Sequence, residues 1–195
     1  MEIINGERLV LGTCYYPEHW DESLWRDDLR RMLENGIAVI RIAEFAWSKI
    51  ERYEGVFNYD FYDKFLDLAE EMGMKVIFCT PTATPPAWLT EKYPEVLNAN
   101  IDGVLYRHGG RRHYNYNSPK YQELTRIIVE KSASHYAKHP AIIGWQIDNE
   151  INCEKDEFYS ESDTIAFRKF LMKKYGSIDA LNDAWGTNFW NQTYN

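Results

Sequence analysis

The chain is poor in three features that would each have pointed to a function. Its three cysteines, Cys14, Cys79 and Cys153, are odd in number and far apart. That is too few for a disulfide framework and suits reduced thiols in a cytoplasm. Basic residues are outnumbered, 22 Lys and Arg against 30 Asp and Glu, for a net charge of −8. This balance argues against a nucleic-acid partner, because phosphates are held by a surplus of Lys and Arg. No apolar run approaches the ~20 residues that a membrane helix needs. Residues 1–6 also lack the basic start and apolar stretch of a signal peptide. The expectation is a cytoplasmic protein with no membrane partner, in which the 191–193 glycosylation sequon is chance.

Aromatic residues, by contrast, are plentiful, with seven Trp and 14 Tyr. They suit either a packed core or a ligand-lined cleft, since both use aromatic area. Four short apolar runs, at residues 9–15, 37–43, 75–80 and 142–147, read as strands. They are continuous rather than alternating, which is the pattern of parallel strands buried on both faces.

Amphipathic helices separate them. Asp21 is placed to cap a helix that buries Leu24, Trp25, Leu29, Met32 and Leu33 and stops at Gly36. Asp60 is placed to cap the next, with Phe61, Phe65, Leu68 and Met72 inward and Gly73 as its stop. Ser118-Pro119 opens a third, burying Tyr121, Leu124, Ile128 and Tyr136. A fourth spans residues 164–175 and ends at Gly176, and Ser177 caps a short fifth through Trp185.

Strand and helix thus alternate about four times without a linker, which predicts an α/β protein with a parallel sheet. An open doubly wound sheet and a (β/α)8 TIM barrel compete. The open sheet usually carries a glycine-rich first turn for phosphate. Here the first strand runs into Tyr15-Tyr16-Pro17-Glu18-His19-Trp20, so the barrel is the better expectation. A barrel takes ~250 residues. Residues 1–195 are therefore read as the N-terminal part of one barrel domain, about its first four β/α units, in a longer protein.

Active sites of such barrels sit at the C-terminal ends of the strands. Those ends hold Tyr15 to Glu18, Arg41 to Trp47, Thr80 to Pro86 and the cluster Asp148-Asn149-Glu150. Carboxylates, aromatics and amides gather there, without Ser-His-Asp or Cys-His spacing. Bland roles stand beside chemical ones. Glu150 is either an acid or a cap, Asn149 a sugar contact or a turn residue. Glu44 either lines the cleft or pairs with Arg41, and Trp47 and Trp88 are wall or sugar platform. Of the adjacent Arg111 and Arg112, one is expected to be solvated.

Several stretches together carry a resemblance. They are Tyr15 to Trp20, Phe45-Ala46-Trp47, Thr80 to Leu89, Gly110 to Tyr114, Asp148-Asn149-Glu150 and Leu181 to Thr187. In these the chain resembles glycoside hydrolase family 42, the β-galactosidases, over nearly its whole length. The proline-rich run followed by Trp88-Leu89 is its specific part. The resemblance implies a retaining hydrolase that releases terminal non-reducing β-D-galactose from galactosides or galacto-oligosaccharides, without a cofactor. It makes Glu150 the acid/base, Asn149 and Arg111 sugar-binding residues, and the nucleophile a glutamate on a later strand beyond residue 195. Glu18, Glu44 and Asp148 lie on the wrong strands to replace it. It also implies a homotrimer for the full-length protein, as in several relatives. A proton donor at neutral pH needs a raised pKa, expected here from burial and from the nucleophile's charge.

Some family members hold a cysteine-ligated structural zinc. Here the matching position is Asn115 and the stretch after Glu150 offers Cys153 alone, whereas a tetrahedral thiolate site needs about four ligands. No metal is expected, and His108 and His113 are loop or substrate-face residues. A non-catalytic carbohydrate-binding barrel is the alternative function. A flavin- or nucleotide-binding α/β domain is a weaker one, since the glycine-rich turn is missing.

Overall fold

The computed structural model describes residues 10–151 and 153–195. Its elements run β1 (Leu11–Cys14), α1 (Glu22–Glu34), β2 (Ile37–Ile42), α2 (Trp47–Ile50), β3 (Glu51–Tyr53), β4 (Val56–Phe57) and α3 (Asp60–Met72). They continue with β5 (Lys75–Cys79), α4 (Ala87–Lys92), α5 (Pro119–Tyr136), β6 (Ile142–Gln146), α6 (Glu161–Tyr175) and α7 (Ile178–Trp185). The main sheet is parallel and its order, β1-β2-β5-β6, follows the chain. Each crossover therefore steps the same way, and right-handed crossovers in one direction put their helices on one face. A doubly wound sheet reverses direction partway. The sequential order is that of a barrel.

The core lies between sheet and helices. Trp25 and Leu29 of α1 meet Phe65 of α3 and Ile40 and Ile42 of β2, all fully or nearly fully buried. Trp25 stands edge-on to Phe61 and Phe65 with ring centres 5.1 and 5.2 Å apart, the geometry that ring quadrupoles favour. Val76 and Phe78 of β5 and Ile128 and Tyr136 of α5 extend the same cluster. Most of the aromatic surplus thus goes to packing.

Helix ends follow local chemistry. The Asp21 side chain accepts from Ser23 N, Gly73 closes α3 at φ 78°, and Ser118 Oγ accepts from Tyr121 N. Several expectations are corrected. Leu24 is exposed, because Trp25 and Leu29 define the inner stripe of α1. Asp60 is the first residue of α3 and not its cap; the Asn58 side chain accepts from Asp60 N at 2.8 Å. The inner face of α3 includes Tyr62, Leu66 and Ala69. The fourth helix begins at Glu161, capped by a reciprocal Ser160–Asp163 box.

Burial on both strand faces holds only at places in the two central strands, where the neighbours Val39 and Ile40 of β2 and Phe78 and Cys79 of β5 are buried, and fails at the edge strands. β1 is exposed throughout, and Ile143 of β6 is 42 % exposed. The helices described cover one face only. Leu9, assigned to the first strand, and residues 1–6 lie outside the described residues.

Candidate active site

The charged cluster that follows β6 is accounted for first at Asp148. Its backbone N–H donates to Thr80 Oγ1 at 2.7 Å, and Thr82 Oγ1 donates to its carboxylate at 2.7 Å. The N–H of Asn149 donates to the other carboxylate oxygen, also at 2.7 Å. Asp148 is 8 % exposed and faces Arg112 at 3.3 Å. This acid is an anchor, and its charge is held by its neighbours rather than offered to a ligand.

Arg112 completes the anchor. Only 1 % exposed, it donates to the carbonyls of Asn149 and Glu150 and to the Tyr114 and Tyr116 hydroxyls. Of the two arginines, the one that meets the expectation of solvation is Arg111, whose side chain is 34 % exposed. Arg112 is buried and Arg111 is ion-paired. Nothing in the run Gly110-Arg111-Arg112-His113 distinguishes them beforehand. Asp148 (φ 55°), Glu150 (φ 48°) and Arg112 (φ 60°) are all left-handed, which costs ~1–2 kcal/mol for a non-glycine residue. Such strain persists only where surroundings over-determine it, and the Arg112 hydrogen bonds to two successive carbonyls do so here.

Glu150 projects past this anchor. Its carboxylate takes a hydrogen bond from Arg111, whose side chain also reaches Glu154 at 3.4 Å and lies 5.9 Å over the Phe45 ring. The pair is open to solvent, with side chains 52 % and 34 % exposed for Glu150 and Arg111. Hydrogen bonding from the Arg111 guanidinium, and then its charge, hold the Glu150 carboxyl below the usual carboxylate range. That reverses the expected direction. Burial was to raise this pKa, but Glu150 is exposed and a cation adjoins it. Asn149 is 8 % exposed, and its Oδ1 accepts from Gln146 Nε2 at 3.1 Å. Arg111, Asn149 and Glu150 are thus brought to one edge of the strand mouth.

The end of β2 carries a second acid. Glu44 is fully buried, accepts from Arg41 at 2.8 Å and from the Tyr16 hydroxyl at 2.9 Å. Burial and this bond push Tyr16 up to about 12. Of its two readings, the Arg41 pair is the one realised. Burial likewise raises Glu18 and lifts the Cys79 thiol to about 12, which leaves that thiol protonated. Trp47 is fully buried and donates to Glu51 Oε2 at 2.8 Å, while Trp88 donates to the Glu51 carbonyl at 3.0 Å. Both are wall. His113 packs against His108 and bonds the Gly110 carbonyl; burial lowers its pKa, and the Gly110 bond opposes that shift.

Asn115, the position set against a zinc ligand, is fully buried. Its amide reaches the hydroxyl of Ser160, Ser162 Oγ at 3.0 Å and Asp163 Oδ2 at 2.6 Å. An amide, two hydroxyls and one carboxylate already engaged with a helix cap do not fit a thiolate zinc site. Among the described residues, no helix is long and apolar enough to cross a membrane.

A family model described as Beta-galactosidase, of glycoside hydrolase family 42, matches residues 14–195. Beta-galactosidase BgaA of a Thermus species is 46 % identical over 186 residues, covering 95 % of this chain and 29 % of the relative. Beta-galactosidase Bga of Halorubrum lacusprofundi is 43 % identical over 185 residues, 94 % of this chain and 26 % of the relative. The crystal structure of the β-galactosidase from Marinomonas ef1 superposes with a TM-score of 0.91 at 44 % identity, over 95 % of this chain and 28 % of that one. The chain spans little more than a quarter of the length of these relatives. Its fold is a partial (β/α)8 barrel contributing four β/α units.

Proposed function

The chain belongs to glycoside hydrolase family 42, the β-galactosidases, and on that premise we propose that it forms the acid/base portion of a retaining enzyme that releases terminal non-reducing β-D-galactose. Glu150 is the proton donor, and Asn149 and Arg111 bind the sugar. The observation that carries this reading is the convergence of an exposed carboxylate, a forked cation and an anchored amide at the end of β6. Carboxylates that serve the fold, Asp148 and Glu44, are instead buried and ion-paired.

Arg111 has a role beyond affinity. In the free site it lowers the Glu150 pKa. Sugar oxygens that take over its forked donors remove that cation from the carboxylate, and closure of the cleft removes water. Both changes raise the Glu150 pKa towards what a general acid needs. Retention calls for a second carboxyl ~5–5.5 Å from the first. That nucleophile is assigned to the longer protein, outside residues 1–195, and zinc has no part in the reaction.

The test is Glu150→Gln in the full-length enzyme. Hydrolysis of lactose should fall ~10²–10⁴-fold. A wild-type rate would leave a carbohydrate-binding role for these residues and remove the acid/base assignment.

A further inference from the structure

We propose that Gln146 and Arg41 are positioning residues that fix the side-chain amide of Asn149, so that its NH2 group and not its oxygen faces the sugar. The proposal rests on the reading of Asn149 as a sugar contact and adds what sets that contact's polarity. A side-chain amide has a donor end and an acceptor end of nearly equal shape, so its partners decide which end points out.

The decision starts at Arg41, a residue with donors only. One guanidinium nitrogen donates to Glu44 Oε1 at 2.8 Å and the other to Gln146 Oε1 at 2.8 Å. Glu44 is fully buried, so Arg41 cannot swing away without leaving a buried carboxylate uncompensated. The Gln146 oxygen is therefore held towards Arg41. Its Nε2 is turned the other way, where the Asp148 carbonyl accepts at 2.9 Å and Asn149 Oδ1 at 3.1 Å. A reversed Gln146 would set donor against donor at Arg41 and acceptor against acceptor at the Asp148 carbonyl. The glutamine has one satisfactory orientation.

That orientation occupies Asn149 Oδ1 and leaves Nδ2 for a ligand. Among the described residues, Nδ2 makes no hydrogen bond although Asn149 is 8 % exposed. The polarity is handed across the sheet, from Arg41 on β2 past β5 to Gln146 at the end of β6. The amide therefore meets a sugar oxygen as a donor, and the cost of orienting it is met before substrate arrives.

The experiment uses the full-length enzyme and the variant Gln146→Glu. The new carboxylate still accepts from Arg41 but has no donor, so Asn149 must turn its NH2 inward and show its oxygen to the cleft. With selectively 15N-labelled asparagine, the Asn149 side-chain NH2 is identified by its loss in Asn149→Ala. Its exchange with water should slow at least ~10-fold in Gln146→Glu, as one gained hydrogen bond requires. In parallel, kcat/KM for a nitrophenyl β-galactoside should fall ~10–100-fold, and this fall should disappear when Asn149 is already Ala. Gln146→Met, which merely frees Asn149, should lose less than ~10-fold with the same non-additivity, and it serves if the charged variant does not fold. Unchanged exchange in Gln146→Glu, or losses that persist in the Asn149→Ala background, would overturn the proposal. Wild-type kcat/KM in Asn149→Ala would instead remove the sugar-contact reading, and the proposal with it, whatever the exchange rates show.

Discussion

Two arginine–glutamate pairs stand at the same end of the same sheet and have opposite characters. Arg41–Glu44, at the end of β2, has an acid with no exposed surface and further partners in Tyr16 and Gln146. Arg111–Glu150, beyond the end of β6, is about half open on the acid's side and sits on a left-handed backbone held by Arg112. Identical chemistry thus serves two ends. A pair whose acid is fully buried cannot exchange partners without large cost, so it works as architecture. A pair open to water exchanges partners cheaply, which is what a site needs if its arginine must turn to a sugar.

The comparison predicts unequal stability effects, which urea unfolding of the chain can measure. Arg41→Met should cost the most, ~3–5 kcal/mol, because it leaves Glu44 buried and unpaired. Next comes Asn115→Ala, which opens the buried Asn115–Ser160–Asp163 node. Its loss should be ~1–3 kcal/mol, the penalty for stranding buried polar groups. Arg111→Met should cost below ~1 kcal/mol, as exposed pairs do. Equal losses for the two arginines would break the distinction.

Legibility in the sequence divides along the same line. The continuous apolar runs and the markers Asp21, Gly73, Ser118-Pro119 and Gly176 revealed the order of elements, because caps and strand burial are local in cause. The β3–β4 hairpin and the short α2 went unseen, since two to four residues carry no period. Glu150, Asn149 and Arg111 were singled out by the family resemblance, and the fold sets them together at the mouth. Arg112 and Gln146 were missed, because their partners lie 36 and 105 residues away in sequence. The direction of the Glu150 pKa was missed for the same reason.

That pKa yields the smallest effect and a sharp sign. Arg111 lowers it, so the pair's contribution to stability is present above the unfolded value of about 4.3. It is lost as pH falls through the lower folded value. In Arg111→Met, carboxyl NMR titration should show the Glu150 midpoint moving up. A midpoint that stays in place would mean that Arg111 does not govern this acid.

The central claim, that Glu150 gives its proton to the leaving oxygen, is tested most directly by leaving-group dependence in the full-length Glu150→Gln enzyme. A poor leaving group such as the glucose of lactose needs that proton, while a dinitrophenolate does not. The account predicts a glycosylation rate reduced ~10²–10⁴-fold for lactose and nearly unchanged for a dinitrophenyl β-galactoside. Equal losses on both substrates would contradict it.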